Sequence, residues 1–347
     1  MDTRPFTPES SARTQLRFAG STGEYFKIWI VNLALSVVTL GIFSAWAKVR
    51  SKRYLYGNTF IGAYAFDYHA EPLRILLGRA IAAALLLAYS LAAAFARPML
   101  GLLYLVFIIA FPWLVMSSLR FSARNTSYRN VRFDFQGGYG GAFVAYVLMQ
   151  GLAVVTLFIA LPFAHRARDY YNINNHYFGS MPFAAEFTVG KLYLTYLAAA
   201  GLFLAFTVSG ALLGAGFAWL TLKPYLSMMT AAVIPGYVLG FVFAASFVSA
   251  RTTNLALNNT QLGKMFWFES QLSGLRLAWI SASNLAATIL TLGLLYPWGR
   301  VRLARYMANC IAVIGPVDLD ISEIHAPIAK SAVAEEVASF FDIDFGL

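Results

Sequence analysis

Three side-chain amides, Asn32, Gln150 and Asn284, and two bursts of tryptophan and arginine are the groups whose types and spacing could do chemistry in this sequence. The amides fall inside long apolar runs, where a polar group marks either a helix-to-helix hydrogen bond or a binding site. Asn32 and Asn284 occupy the same slot of two similar segments, and Gln150 lies one place from that slot in a third. Gathered near a membrane midplane, these uncharged groups would suit a neutral or zwitterionic solute better than a bare ion. Trp46, Lys48, Arg50 and Arg53, then Trp298, Arg300, Arg302 and Arg305, suit an anionic lipid. Indole rings settle at headgroup level, and long basic side chains reach phosphates while their stems stay in hydrocarbon.

The elements that carry these groups are written more than once. "TLGIFSAWAKVRSKRY" (39–54) and "TLGLLYPWGRVRLARY" (291–306) each pass from hydrocarbon to positive charge and close on tyrosine. A third copy, "TLFIALPFAHRARDYY" (156–171), puts Phe163 in the tryptophan slot and Ala167 in an arginine slot, with His165 and Asp169 diluting the collar. A second element recurs as "NTFIGAYAF", "NTSYRNVRF", "NHYFGSMPF" and "NTQLGKMFW", each placing an aromatic eight residues after an asparagine. Alternation after these turns, as in Tyr64, Phe66 and Tyr68, predicts short strands over 58–68, 125–135, 175–185 and 259–269.

Composition sets the medium. Hydrophobic residues make up 59% and charged residues 12% of the chain, against about 45–50% and 25% in soluble domains. Apolar runs at 28–46, 75–96, 99–119, 142–163, 192–213, 228–248 and 277–298 approach or exceed the roughly 20 residues that cross a bilayer. The net charge of +10 is unevenly spread: residues 318–347 hold seven acids against Lys330, so the body is more basic still. Its basic residues cluster where apolar runs end, which is a membrane pattern rather than a nucleic-acid one. One cysteine, Cys310, excludes an intramolecular disulfide and a cysteine-cluster metal site.

These features predict an all-α polytopic membrane protein of about seven transmembrane helices with short β-ribbons at the membrane faces. A polar tail (1–27) precedes repeat unit one (28–140) and an inverted unit two (141–274). A final helix and collar (275–317) and an acidic tail (318–347) follow. Three spans per unit put the strands in pairs on opposite faces. The positive-inside rule then places the N-terminus in the periplasm and the C-terminus in the cytoplasm. Glycine pairs Gly210/Gly214 and Gly236/Gly240 are expected to bring helices close.

The combination of "EYFKIWIVN", the first collar, "LAWISASNLAATILTLGLLYPWGRVRLARY" and the closing "FFDIDFGL" is similar to the YjgN-like family of bacterial inner-membrane proteins over essentially the whole chain. That resemblance implies an inner-membrane location and supplies no catalytic residues. No nucleophile elbow, phosphate-cradling loop, HExxH or paired-carboxylate pattern occurs, so no enzyme, cofactor or metal is expected. Inverted units suggest a transporter- or channel-like protein for a small solute or lipid. The collars suggest instead a non-transporting scaffold or envelope-maintenance protein that holds anionic lipid or partner proteins.

Overall fold

Hydropathy reads 28–46 as one continuous run, but the chain reverses inside it. The computed structural model describes residues 11–95, 100–221 and 225–316. In it helix α1 (Thr22–Val38) stops at Thr39 and α2 (Ser44–Gly57) starts five residues later. The reversal rests on left-handed backbone at Leu40 (φ 50°) and Gly41 (φ 90°). The Thr39 hydroxyl donates to the Leu35 carbonyl at 2.7 Å and accepts the Phe43 N–H at 2.9 Å. Gly41 N–H reaches back to the Ser36 carbonyl at 2.7 Å. Thus one hydroxyl caps both helices, and the tip satisfies its own backbone, as an apolar medium demands.

The same turn recurs at the other two copies. A helical segment of α5 (Tyr139–Phe143), a π-helical turn (Val144–Leu148) and α6 (Met149–Val155) turns at Thr156 into α7 (Leu161–Asn174). Helix α10 (Gly274–Leu290) turns at Thr291 into α11 (Tyr296–Asn309). Thr156 bridges the Leu152 carbonyl and Ala160 N–H, and Thr291 bridges the Ala287 carbonyl and Leu295 N–H. Leu157 and Phe158, then Leu292 and Gly293, repeat the positive φ values. At 1.5 Å per residue these helices are about 20–25 Å long, short of the roughly 30 Å hydrocarbon core.

Two other helix pairs are long. Helices α3 (Pro72–Phe95) and α4 (Leu100–Arg124), and α8 (Val189–Thr221) and α9 (Tyr225–Asn258), contain the four stretches of the described residues long and apolar enough to span. The expected spans at 75–96, 99–119, 192–213 and 228–248 fall in these helices. Those expected at 28–46, 142–163 and 277–298 are corrected to hairpins.

Each helix pair is flanked by strands. The four expected strand segments form β2 (Thr59–Ile61) with β3 (Tyr64–Tyr68), β4 (Thr126–Tyr128) with β5 (Val131–Phe135), β6 (His176–Phe178) with β7 (Met181–Ala185), and β8 (Thr260–Leu262) with β9 (Phe266–Ser270). Positive φ at Gly62, at Arg129 and Asn130, at Gly179 and at Gly263 and Lys264 makes their tight turns. Two strands come from the chain's outer segments, β1 (Ser11–Phe18) and β10 (Ile311–Pro316).

All ten strands join in sequence order, and β10 closes on β1, giving a barrel. This overturns the expected pair of ribbons on opposite faces, and with it the all-α, seven-span, inverted-repeat architecture. The pairs β1–β2, β3–β4, β5–β6 and β7–β8 are antiparallel across helix pairs, and β2–β3, β4–β5, β6–β7 and β8–β9 are antiparallel across tight turns. Within the first unit, strand polarity therefore puts the helix pairs after β1, β3 and β5 at one end of the strands and the tight turns at the other. Gly315 near the end of β10 lies against Phe266 at the start of β9. Both Ser11 and Pro316 are thus at the turn end.

The chain divides into two compact units. The first, residues 1–186, 260–267 and 313–347, carries most of the barrel, two short hairpins and the α3–α4 pair. Rings on strands two apart meet there: Phe66 and Phe133 at 6.4 Å, Tyr128 and Phe178 at 6.3 Å, Phe133 and Phe183 at 6.4 Å. Backbones two strands apart are about 9.6 Å from each other, so this aromatic face is the concave one. The opposite face of β1 exposes Arg13, Gln15 and Arg17. Phe135, Leu119, Ala142 and Tyr171 form an apolar core where α4, α5 and α7 meet β5.

The second unit, residues 187–259 and 268–312, holds the α8–α9 pair and the α10–α11 hairpin. A Cβ added to Gly236 would lie 2.8 Å from the Phe206 carbonyl and 3.1 Å from Gly210 Cα, so close packing of α8 on α9 requires glycine there. Its apolar cluster includes Ala250, Leu272, Leu277, Ile280 and Tyr306. The acidic tail expected over 318–347 lies outside the described residues.

Candidate membrane-headgroup interface

Each short hairpin has a bare tip and a polar root. Leu40 is 94%, Leu157 83% and Leu292 95% exposed, with Val38, Val155 and Leu290 beside them also open. Three such tips with satisfied backbones and no charge nearby are stable only where hydrocarbon replaces water.

Below the tip, Asn32 joins the two helices of the first hairpin. It is buried, its Nδ2 donates to the Ala47 carbonyl at 3.3 Å, and its Oδ1 accepts from Arg50 Nη1 at 3.1 Å. Asn284 repeats both bonds in the third hairpin, to the Gly299 carbonyl at 3.1 Å and from Arg302 Nη1 at 3.2 Å. Arg302 also donates to Ser283 Oγ at 2.6 Å and lies 5.0 Å over the Trp298 ring. The structure therefore places each asparagine inside its own hairpin, beside an arginine eighteen residues on. Gln150 is half-buried on α6, one place out of register, and the arginine slot opposite is Ala167. The second hairpin instead joins Tyr146 Oη to Asn172 Oδ1 at 2.7 Å and pairs His165 and Arg168 with Asp169 at 2.9 and 3.2 Å.

The remaining collar residues divide by role. Arg50 and Arg305 are exposed, Lys48 and Arg300 half-buried. Trp46 stacks on Phe43 at 6.0 Å and packs beside Ala45, Val49 and Ile75. Arg53 turns toward the barrel: its Nε donates to the Tyr68 carbonyl at 3.2 Å and its Nη2 to the Ala70 carbonyl at 3.3 Å. It clamps the end of β3.

Sequence reading missed how general that clamp is. Arg120 repeats it on Phe135 and Gly137, five residues before its helix-ending asparagine as Arg53 is before Asn58. Asn254 in the same slot bonds both the N–H and carbonyl of Leu272 at 2.9 Å, while Asn174 and Asn258 bond Ala185 and Ser270. The recurrent asparagines themselves, Asn58, Asn125, Asn175 and Asn259, cap their helices by donating to the carbonyl four residues back at 2.7–2.8 Å. Their fixed five-residue offset from Arg53, Arg120 and Asn254 was the signal available.

At the barrel, Arg124 Nε meets Asp134 Oδ1 at 2.8 Å. Burial would push the Asp134 carboxyl up, but the Arg124 hydrogen bond and charge outweigh it and hold the group below its ordinary value. His176 on β6 is half-buried, and desolvation holds its imidazole below the ordinary histidine value although Nδ1 contacts the Asn172 carbonyl at 2.6 Å.

Comparison with known proteins places these features. The chain is 25% identical to the inner membrane protein YjgN of Salmonella typhimurium across 91% of this chain and 92% of that protein. It is 30% identical to the inner membrane protein YjgN of Escherichia coli O157:H7 across 34% of this chain and 30% of that one. No solved structure matches it. The apolar helices and these relatives make it a multi-pass protein of the inner membrane. With residues 13–340 matching the family's sequence pattern, the chain belongs to DUF898, a family of bacterial proteins of unknown function.

Proposed function

We infer that this protein is a non-transporting membrane scaffold that holds anionic lipid at the cytoplasmic face. The observation that carries this reading is the build of the short hairpins, with hydrocarbon at the tip and an asparagine-held arginine part-way to the root. Arg50 begins about 9 Å along α2 from its tip end, counting 1.5 Å per residue. A tip immersed in one leaflet therefore leaves the guanidinium near the phosphates, where Arg50, Arg302 and Arg305 meet negative headgroups.

The arrangement of basic residues supports one orientation. Basic side chains gather near the ends of the helix pairs that join the strands, and the positive-inside rule favours a barrel in the cytoplasm. This reading is an alternative to the expected placement of the two ends on opposite sides. Five strand–helix–helix–strand modules support internal repetition without inversion, and transport loses the architectural argument that motivated it.

The test is lipid retention. Protein purified from mixed micelles should retain phosphatidylglycerol or cardiolipin over phosphatidylcholine, counted by native mass spectrometry. Arg50→Gln and Arg302→Gln, which keep a donor for the asparagine, should reduce that preference with little change in melting temperature. Equal retention of neutral and anionic lipid would reject the reading, and solute flux in proteoliposomes would restore transport.

A further inference from the structure

Within each unit the short hairpins and the long helix pairs differ in reach. In the first unit α1–α2, α5–α7 and α3–α4 all start at the barrel, but α3 and α4 alone are long enough to reach the far leaflet. In the second unit α10–α11 is short and α8–α9 is long. The first unit therefore carries more helix on its barrel side than beyond it. A helix about 10 Å across occupies roughly 80 Å². The barrel-side excess is thus about 300 Å² in the first unit, with four short segments.

A short hairpin can reach only one leaflet. The exposed apolar residues of the first run from Val31 through Val38 and Leu40 to Ile42. The eight residues from Val31 to Val38, the end of α1, span about 10 Å, within one leaflet of a roughly 30 Å core. In the third hairpin Leu285, Ile289, Leu290, Leu292 and Leu294 form the matching exposed band. The occupant of these surfaces is acyl chain: they carry no charge, and their tip backbone groups are already paired.

We propose that the first unit acts as a wedge that expands the leaflet on its barrel side, so the protein prefers membranes convex on that side. Protein area added to one leaflet alone must be matched by lipid area in the other or relieved by bending, and bending toward the expanded leaflet relieves it. The proposal rests on the membrane seat described above but not on lipid charge. Neutral lipid therefore separates it from the anionic-headgroup reading.

The experiment uses the full chain, fluorescently labelled, in giant vesicles of phosphatidylcholine from which narrow tubes are pulled. Molecules with the barrel outside should be enriched on the tube relative to a lipid dye, with a ratio above one that rises as the tube narrows. Molecules with the barrel inside should be depleted. The variant Leu40→Glu, Leu157→Glu, Leu292→Glu changes only exposed tips and should bring both ratios toward one, its fold checked by thermal melting. Wild-type ratios of one at every tube radius, or equal ratios for both orientations, would overturn the proposal whatever the variant does. Unchanged sorting by a folded variant would overturn it as well.

Discussion

The phenol of Tyr306 accepts the Ser273 N–H at 2.8 Å and donates to the Ser273 carbonyl at 3.2 Å, so α11 is stapled to the start of α10. Tyr54 does the same to Ser21 at 2.8 and 2.9 Å, and Tyr171 donates to the Gly138 carbonyl at 3.0 Å. Each pair is separated by thirty-three residues. A tyrosine that looked like a headgroup anchor is the hinge pin of its hairpin root.

Removing the hydroxyl therefore tests architecture rather than lipid contact. Tyr54→Phe and Tyr306→Phe leave a backbone N–H without its partner and should each cost about 1–2 kcal/mol. Thermal melting in detergent should show the loss, with lipid retention per folded molecule unchanged. An unchanged melt for both would mean the staple contributes nothing.

Asn284 and Arg302 form the other cross-link, and their coupling is measurable. Asn284→Leu should destabilise by about 1–3 kcal/mol because Arg302 and the Gly299 carbonyl lose a partner. A double-mutant cycle with Arg302→Leu, which removes the donor, should give a coupling of about 0.5–3 kcal/mol. The Asn32–Arg50 pair should behave alike. Purely additive effects would separate the amide from the arginine.

The hairpin tips store backbone strain unequally. Gly41 and Gly293 take φ 90° and 95°, with nothing within 4 Å of an added Cβ, whereas Phe158 holds φ 68° in the equivalent place. Gly41→Ala should cost about 1 kcal/mol by strain alone, and Phe158→Gly should relieve a comparable amount. Opposite shifts in melting temperature check the pair.

Acid should loosen the barrel in two steps. His176 has a depressed folded value, so its contribution is full above the unfolded value of 6.5 and declines as pH falls below it. Asp134 is also depressed, so its contribution is full above 3.8 and is lost as pH falls through its folded value. His176→Gln should remove the first step and Asp134→Asn the second in a melting profile against pH. Profiles identical to wild type would reject these assignments.

Topology can be read directly. In a Cys310→Ser background, Ala63→Cys and Ser180→Cys at the tight turns should react with an impermeant maleimide only from the cytoplasmic side. Alkaline phosphatase fused after Leu347 should be inactive. Periplasmic labelling or an active fusion would invert the assignment.

Much of the local structure was legible because it depends on neighbours along the chain. Alternation after Asn58, Asn125, Asn175 and Asn259 marked four strand pairs, since period-two patterning and turn residues act over a few positions. Long apolar runs identified α3, α4, α8 and α9 because a bilayer imposes length. Two features escaped. Leucine is not a residue expected in left-handed backbone, so the reversal at Leu40 left no mark in the hydropathy of 28–46. The fifth strand pair joins opposite parts of the chain, β1 with its exposed Arg13 and Arg17 and β10 behind Cys310 in the asparagine slot.

The sequence by itself determined which segments are helix, strand and lipid-compatible, because propensity, alternation and hydrophobicity are properties of short stretches. Tertiary structure alone decided that the strands close into one barrel, that Asn32 and Asn284 bond within their hairpins, and that three apolar runs turn back. The physical reason is closure. Hydrogen bonds between strands bring together residues as distant as Leu16 and Ile61 or Asp134 and Tyr177. Once each pair must return to the strand beside it, the number of crossings between neighbouring strands becomes even, a constraint that no window of hydropathy contains.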